Sequence, residues 1–187
     1  MEFALYYKGP LPSGNSRSVR QLKHDLRMHF SGQLYELWRH KEDSARKFYR
    51  AIPEVSKNVH TTRVGAFRFA PLVTRRFFAE LDIVMLRPEA PGSIISTGGD
   101  IDNRIKTLLD GLCLPNPDQI PKKAAPVEAE EVHLCLLEDD RLVTRLSVET
   151  QLLLEANASV HEVVLLIKVR TRYLREIEPQ IGNLAFG

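Results

Sequence analysis

Hydrophobic and polar positions divide the chain into segments with a strand pattern and segments with a helical pattern. Alternation and β-favouring residues mark five segments of the first kind, namely 2–8, 65–73, 75–88, 141–155 and 160–173. A turn or bulge is predicted where the second and third of these segments meet. Only the connection ANAS separates the last two segments, so the sequence predicts that they pair as a hairpin.

A helical period appears early in the chain. Val19, Leu22 and Leu26 recur at the spacing of one apolar helix face. Ser31 is then predicted to cap a further helix. The core-facing residues of that further helix would be Leu34, Leu37 and Trp38.

Loops are predicted where Gly, Pro, Ser and Asn cluster, at 9–16 and, as a Pro-rich loop or flap, at about 113–132. Residues 43–63 show a helical turn and then an irregular stretch. Paired strands with helices between them predict an α/β (α+β) fold, a mixed β-sheet with helices packed against it. The length of 187 residues predicts a single domain spanning 1–187.

Composition excludes several classes of protein. The chain is 43% hydrophobic and 27% charged, without a biased tract. No apolar run approaches the roughly 20 residues of a membrane span, and the first residues do not resemble a signal peptide. Cys113 and Cys135 have neither zinc-ligand spacing nor the pattern of a disulfide framework. We therefore expect a cytoplasmic protein without a membrane partner.

The stretch GGDIDNRIKTLLDG begins the clearest helix of the chain. Asp100 directly precedes its first turn, and Asp102, Asn103, Lys106 and Asp110 share its polar side. The opposite side carries apolar residues at core spacing: Ile101, Ile105, Leu108, Leu109 and Leu112.

Two interpretations of this helix remain open from the local sequence. In the first, one aspartate caps the helix for about 1 kcal/mol, and Asp102, Lys106 and Asp110 form an exposed i, i+4 ladder. In the second, two neighbouring carboxylates, Asp100 and Asp102, bind a cation that relieves their repulsion. Mg²⁺ prefers such oxygen ligands and keeps waters that can attack a phosphodiester. Lys106 would then stabilise the charge of the transition state.

A second acidic motif, Glu-Asp-Asp at 138–140, ends the apolar run HLCLL. By itself this motif is typical of a charged turn. It also has the chemistry to supply the further carboxylates that a metal site at Asp100 and Asp102 would need.

Together these motifs resemble the RusA family of Holliday junction resolvases. That family carries Asp-x-Asp-Asn-x-x-Lys-x-x-x-Asp at the start of a helix, and an Asp-Asp pair downstream. The first motif is matched at every defined position by DIDNRIKTLLD, and the second by Asp139 and Asp140. The loop PLPSGNS and the segment SGQLYELW are also similar to the family, and the likeness runs from about residue 3 to residue 172.

The resemblance implies a RusA-like crossover junction endodeoxyribonuclease, a phosphodiester hydrolase of DNA recombination and DNA repair. Asp100, Asp102 and Asp140 would bind Mg²⁺, with Mn²⁺ as a substitute and Asp139 as a further contributor. Lys106 would assist at the scissile phosphate. A metal-activated water would attack in line, leaving a 5′-phosphate and a 3′-hydroxyl. The family acts as homodimers on branched DNA, which suits a two-fold substrate.

The basic segment near the N-terminus is predicted to contact DNA. Residues 1–50 hold ten Lys and Arg against five Asp and Glu, within a formal net charge of +2 for the whole chain. Phosphate binding is mainly electrostatic, so backbone contacts are assigned to Arg17, Arg20, Lys23 and Arg27. A solvated helix face is the alternative for these residues.

Two further functions compete with the nuclease. A non-catalytic nucleic-acid-binding protein on the same fold would show salt-sensitive binding without metal-dependent nicking. An interaction module would use the same acids only as helix caps and turns, and would not respond to Mg²⁺ or Mn²⁺.

Overall fold

The computed structural model describes residues 1–12, 17–40, 61–89, 101–126 and 131–173. The described helices are α1 (Arg17–His40) and α2 (Ile101–Leu112). The described strands are β1 (Glu2–Pro10), β2 (Thr62–Val64), β3 (Phe67–Val73), β4 (Phe77–Arg87), β5 (Val132–Leu137), β6 (Val143–Leu152) and β7 (Glu162–Tyr173). Short 3₁₀ turns lie at Pro117–Gln119 and Asp140–Leu142.

A four-stranded sheet in the order β1-β7-β4-β6 forms one layer of the structure. Strand β7 is antiparallel to β1 and β4, whereas β6 runs parallel to β4. Every second residue of β4 is buried, as expected for a strand with one face on the core. The predicted mixed sheet with helices packed against it is confirmed.

The predicted hairpin between the last two strands is wrong. Both strands exist, but β4 lies between them and pairs with β7 on one side and with β6 on the other. Alternation in a sequence tells which face of a strand is buried, and it carries no information about the neighbouring strand. The connection ANAS contains a turn in which Asn157 has a φ of 64°, although it does not join paired strands.

A second sheet has the order β2-β3-β5, with β2 antiparallel and β5 parallel to β3. Strand β2 falls in the segment for which the sequence predicted irregular structure. The turn predicted between β3 and β4 is present at 74–76. The four-stranded sheet and the end of β5 share one hydrophobic core with both described helices.

Helix α1 is continuous where the sequence predicted two helices. Leu22, Leu26, Phe30 and Leu34 are all buried and extend one apolar face through the expected boundary. Ser31 is buried inside the helix, and its Oγ accepts a hydrogen bond from the Leu134 backbone N–H at 2.9 Å. The serine therefore joins α1 to β5 and does not cap a helix. Within the described ranges, no helix is long and apolar enough to cross a membrane.

Helices α1 and α2 approach each other closely at Gly111. A Cβ built on Gly111 would lie 2.8 Å from Cβ of Leu26 and 3.6 Å from the Lys23 carbonyl oxygen. A side chain at this position would push the two helices apart. Glycine is therefore required here by packing and not by backbone conformation.

We expect Gly111→Ala to lower the free energy of unfolding. Inserting a methyl into a packed core costs about 1–3 kcal/mol, which exceeds the gain of about 1 kcal/mol in helix propensity. Gly32→Ala is the matched control, because nothing lies within 4 Å of its added Cβ in α1, and it should stabilise by about 0.5–1 kcal/mol. Urea unfolding of both variants measures the difference, and equal stability would contradict the packing argument.

Candidate functional site

The first turn of α2 presents the acidic motif to solvent. Asp102 and Asn103 are exposed, and Oδ1 of Asp102 accepts a hydrogen bond from the Asn103 backbone N–H at 2.7 Å. Asp100, the residue directly before this helix, lies outside the described residues. A carboxylate in the first turn of a helix is stabilised by the helix dipole. The position of Asp102 at this end of α2 therefore also stabilises the helix.

Lys106 is exposed one turn further along the same side of α2. The exposed ladder of Asp102, Lys106 and Asp110 is not observed, since neither Asp102 nor Lys106 makes an ion pair with a described residue. Asp110 instead pairs with Lys23 of α1, with Nζ and Oδ2 2.6 Å apart. The local interpretation thus explains Asp110 but leaves Asp102 and Lys106 without an ion-pair partner among the described residues.

Two of the residues assigned to DNA contacts have structural roles. Lys23 is occupied by Asp110 and is mostly buried. Arg27 is completely buried; its Nε donates to the Cys113 carbonyl at 3.0 Å, and its Nη2 donates to the Asp110 carbonyl at 2.6 Å. A cation that binds the last carbonyls of a helix stabilises its C-terminus. The assignment of Arg27 to a phosphate contact is therefore wrong, because its guanidinium is enclosed between α1 and α2.

The remaining basic residues of α1 keep their predicted role as a hypothesis. Arg20 is exposed and can reach a phosphate. Arg17 belongs to the first turn of α1, and its side chain lies outside what the structure describes.

The acidic motif 138–140 forms a tight turn between β5 and β6. Asp139 caps the 3₁₀ turn, with Oδ1 accepting from the Arg141 backbone N–H at 2.9 Å and from its Nε at 3.0 Å. The second oxygen of Asp139 accepts from Nη2 of Arg141 at 3.1 Å. These hydrogen bonds to Arg141 lower the pKa of the Asp139 carboxyl. Asp139 is thus occupied as a cap, whereas Asp140 is exposed.

The acidic turn lies at the C-terminal end of α2. Cys113 forms a parallel bridge with Leu137, and the Leu114 backbone N–H donates to the Leu137 carbonyl at 2.8 Å. Burial raises the pKa of the Cys113 thiol, and the nearby carboxylates of Asp140 and Asp110 raise it further. The strand end that leads into the acidic turn is therefore joined to the residues that directly follow α2.

Asp102 lies at the other end of α2. It precedes Cys113 by eleven residues, which corresponds to about 16 Å along an α-helix axis. The contacts of a single chain thus place Asp140 beside the end of α2 and Asp102 at its beginning. Across the described part of the chain, no three His, Cys, Asp or Glu side chains are gathered closely enough to hold a metal ion.

Two buried arginines fix the beginning of α2. Arg104 and Arg87 share the carboxylate of Glu89, with Arg104 Nη2 3.3 Å from Oε1 and Arg87 Nη1 2.8 Å from Oε2. Both guanidiniums are buried, and they join the first turn of α2 to the end of β4. Neither arginine was predicted from the sequence as part of this site. The burial of Arg104 could have been predicted from its position, because Arg104 lies on the same helix face as Leu108 and Gly111.

The chemistry of the described donors fits Mg²⁺ in part. Mg²⁺ binds through one or two carboxylates and retains several waters, and Asp102 offers an exposed carboxylate two residues after Asp100. Asp140 offers a second exposed carboxylate, and Asp139 is occupied by Arg141. The acids suited to a metal are therefore divided between the two ends of one helix.

Comparisons with known proteins give no relative on which to transfer a function. No family model matches the chain, and no curated protein or solved structure matches it. The motifs and their placement in the fold therefore carry the functional argument.

The buried role of Arg27 is testable by stability. Arg27→Met removes the donors of two buried carbonyls, and each unsatisfied buried acceptor costs about 1–3 kcal/mol. We expect a loss of stability of that order in urea unfolding. Arg20→Met, on the exposed side of the same helix, should stay within about 0.5 kcal/mol of the unchanged protein. Similar losses in the two variants would refute the structural role of Arg27.

Proposed function

We propose that this protein is a Mg²⁺-dependent, structure-selective endodeoxyribonuclease of the RusA type that hydrolyses phosphodiesters in branched DNA such as Holliday junctions. The observation that carries the proposal is that Asp102 and Lys106 are both exposed on the same side of α2. They stand one turn apart without an ion pair to any described residue. Asp110, on the same helix, is by contrast paired with Lys23.

The roles of the side chains follow from their chemistry. Asp100 and Asp102 would hold Mg²⁺. Asp140 lies at the opposite end of α2 in the same chain, so the Asp140 that completes the ligand set would come from the second chain of a homodimer. A bound Mg²⁺ supplies a water with a lowered pKa and neutralises charge on the phosphate. Lys106 would stabilise the additional negative charge of the pentacoordinate phosphorus. Asn103 would orient the substrate backbone from the same turn, and the products would carry a 5′-phosphate and a 3′-hydroxyl.

The partners follow from the same proposal. Arg20 and Arg17 would bind DNA phosphates outside the cleavage site, and a homodimer would match the two-fold symmetry of a four-way junction. The thiols of Cys113 and Cys135 are free and buried, which agrees with action in the reducing cytoplasm.

The first test is cleavage of a four-way junction with Mg²⁺ or Mn²⁺, beside lanes with EDTA and lanes with linear duplex. We expect metal-dependent nicking that is stronger on the junction, with 5′-phosphate ends that a ligase can reseal. Salt-sensitive junction binding without nicking would instead favour the non-catalytic binding protein. The absence of both binding and a thermal shift with Mn²⁺ would favour an interaction module.

Asp102→Asn should abolish cleavage and leave junction binding largely intact, because the substitution removes a metal ligand and keeps the shape of the side chain. Asp110→Asn is the matched control on the same helix. It removes the partner of Lys23 and should reduce stability while preserving cleavage by the folded protein. Titration with Mn²⁺, followed by thermal shift, should show weakened metal binding only for Asp102→Asn. Unchanged cleavage by that variant would remove Asp102 from the site.

A further inference from the structure

Strand β6 is an edge of the four-stranded sheet within the described structure. It is ten residues long, and all of its residues are exposed or half-buried. A long edge strand presents unpaired backbone N–H and C=O groups, which favour pairing with another strand.

Apolar side chains on the core side of β6 are left open to solvent. Leu81 and Ile83 of the neighbouring β4 are 0% and 2% exposed, whereas Leu146, the register partner of Leu81, is 43% exposed. Leu152 on the same face of β6 is 41% exposed. The core side of β6 is therefore covered only in part: Val143 and Val148 pack against the core, whereas Leu146 and Leu152 remain open to solvent. Leu154 and Val160, which follow β6, are also exposed.

We propose that β6 pairs antiparallel with β6 of a second copy of this chain, with the two-fold axis at Ser147. Such an interface joins two four-stranded sheets into one continuous sheet and uses the same strand of each copy. It also covers the open side of β6 with side chains of the second copy.

Self-complementarity of β6 favours this register. With Ser147 on the axis, Leu146 stands opposite Val148 of the second copy on the core side. On the outer side Arg145 stands opposite Glu149, and both pairs occur twice. An axis two residues later at Glu149 would place two like charges opposite each other, which is destabilising.

The same pairing brings the divided acidic motifs together. Antiparallel strands place the beginning of one β6, next to Asp140, against the end of the other. At that end the Leu153 backbone N–H donates to the Arg87 carbonyl at 2.8 Å. Arg87 shares Glu89 with Arg104 in the first turn of α2. Asp140 of one copy therefore comes to the end of the sheet at which the second copy carries Asp102.

The proposed pairing depends only on the exposed edge of β6. The shared site, formed by Asp102 of one copy and Asp140 of the other, rests in addition on the proposed function. Oligomeric state and cross-linking are measured without DNA or metal. Failure of the interface thus leaves the nuclease proposal standing, and an inactive protein leaves the interface standing.

Cross-linking tests the register. Ser147→Cys places a thiol at the two-fold axis, and mild oxidation should give a covalent dimer that dithiothreitol reverses. Ala4→Cys is the control, because Ala4 is equally exposed on β1, the opposite edge strand. The native thiols are buried and should not compete. Equal cross-linking of the two variants, or none, would overturn the register.

Light scattering coupled to gel filtration tests the interface. The unchanged protein should be a dimer, and Leu146→Lys should be a folded monomer, since a charge on the core side of an edge strand opposes pairing. Tyr6→Lys is the control on β1, where Tyr6 is 48% exposed, and it should remain dimeric. A monomeric unchanged protein, or a dimeric Leu146→Lys, would overturn the proposal.

Mixing two inactive variants tests the shared site. In a heterodimer of Asp102→Asn with Asp140→Asn, one of the two shared sites keeps both native acids. Random exchange makes half of the dimers mixed, so nicking should return to about a quarter of the unchanged rate. No recovery would show that each site uses acids from one chain. Spin labels on Asp102→Cys and Asp140→Cys give a readout without activity, and the distance between copies should be shorter than the distance within one.

Discussion

The parallel pairing of β4 with β6 is the constraint on which the candidate site depends. Parallel strands need a crossover that returns the chain to the other end of the sheet, and here the crossover contains α2 and β5. Asp102, which follows β4, and Asp140, which precedes β6, must then lie at opposite ends of the four-stranded sheet. Asp102 and Asp140 are consequently separated by the length of α2, although both belong to one sequence pattern.

Helix α1 holds the crossover in place partly through Lys23 and Arg27, two residues that were predicted from the sequence to contact DNA. Arg27 binds the last carbonyls of α2, Lys23 pairs with Asp110, and Gly111 allows the two helices to touch. At the other end of α2, Arg104 is held by Glu89. Buried cations of this kind fix the direction of a helix, because a guanidinium without its acceptors would be costly in the interior.

The pairing proposed at the open edge of β6 would explain how the divided acids meet. A second copy paired through this edge reverses the strand direction, so the beginning of one crossover meets the end of the other. Symmetry then supplies two equivalent sites, as cleavage of two strands would require. The exposed leucines of β6 and the separation of Asp102 from Asp140 are independent features, and the proposed interface would account for both.

The sequence by itself determined most of the helices and strands of this protein. Alternation and β-favouring residues identified β1, β3, β4, β6 and β7, but not β2 or β5. The 3.6-residue period identified α2, and the side of α2 that bears Asp102 and Lys106 was predicted correctly because periodicity is a local property. The joining of two expected helices at Ser31, the placement of β4 between β6 and β7, and the burial of Arg27 were decided only in the tertiary structure. Each of these depends on contacts between residues far apart in the chain, and neither residue type nor spacing records which distant groups will meet.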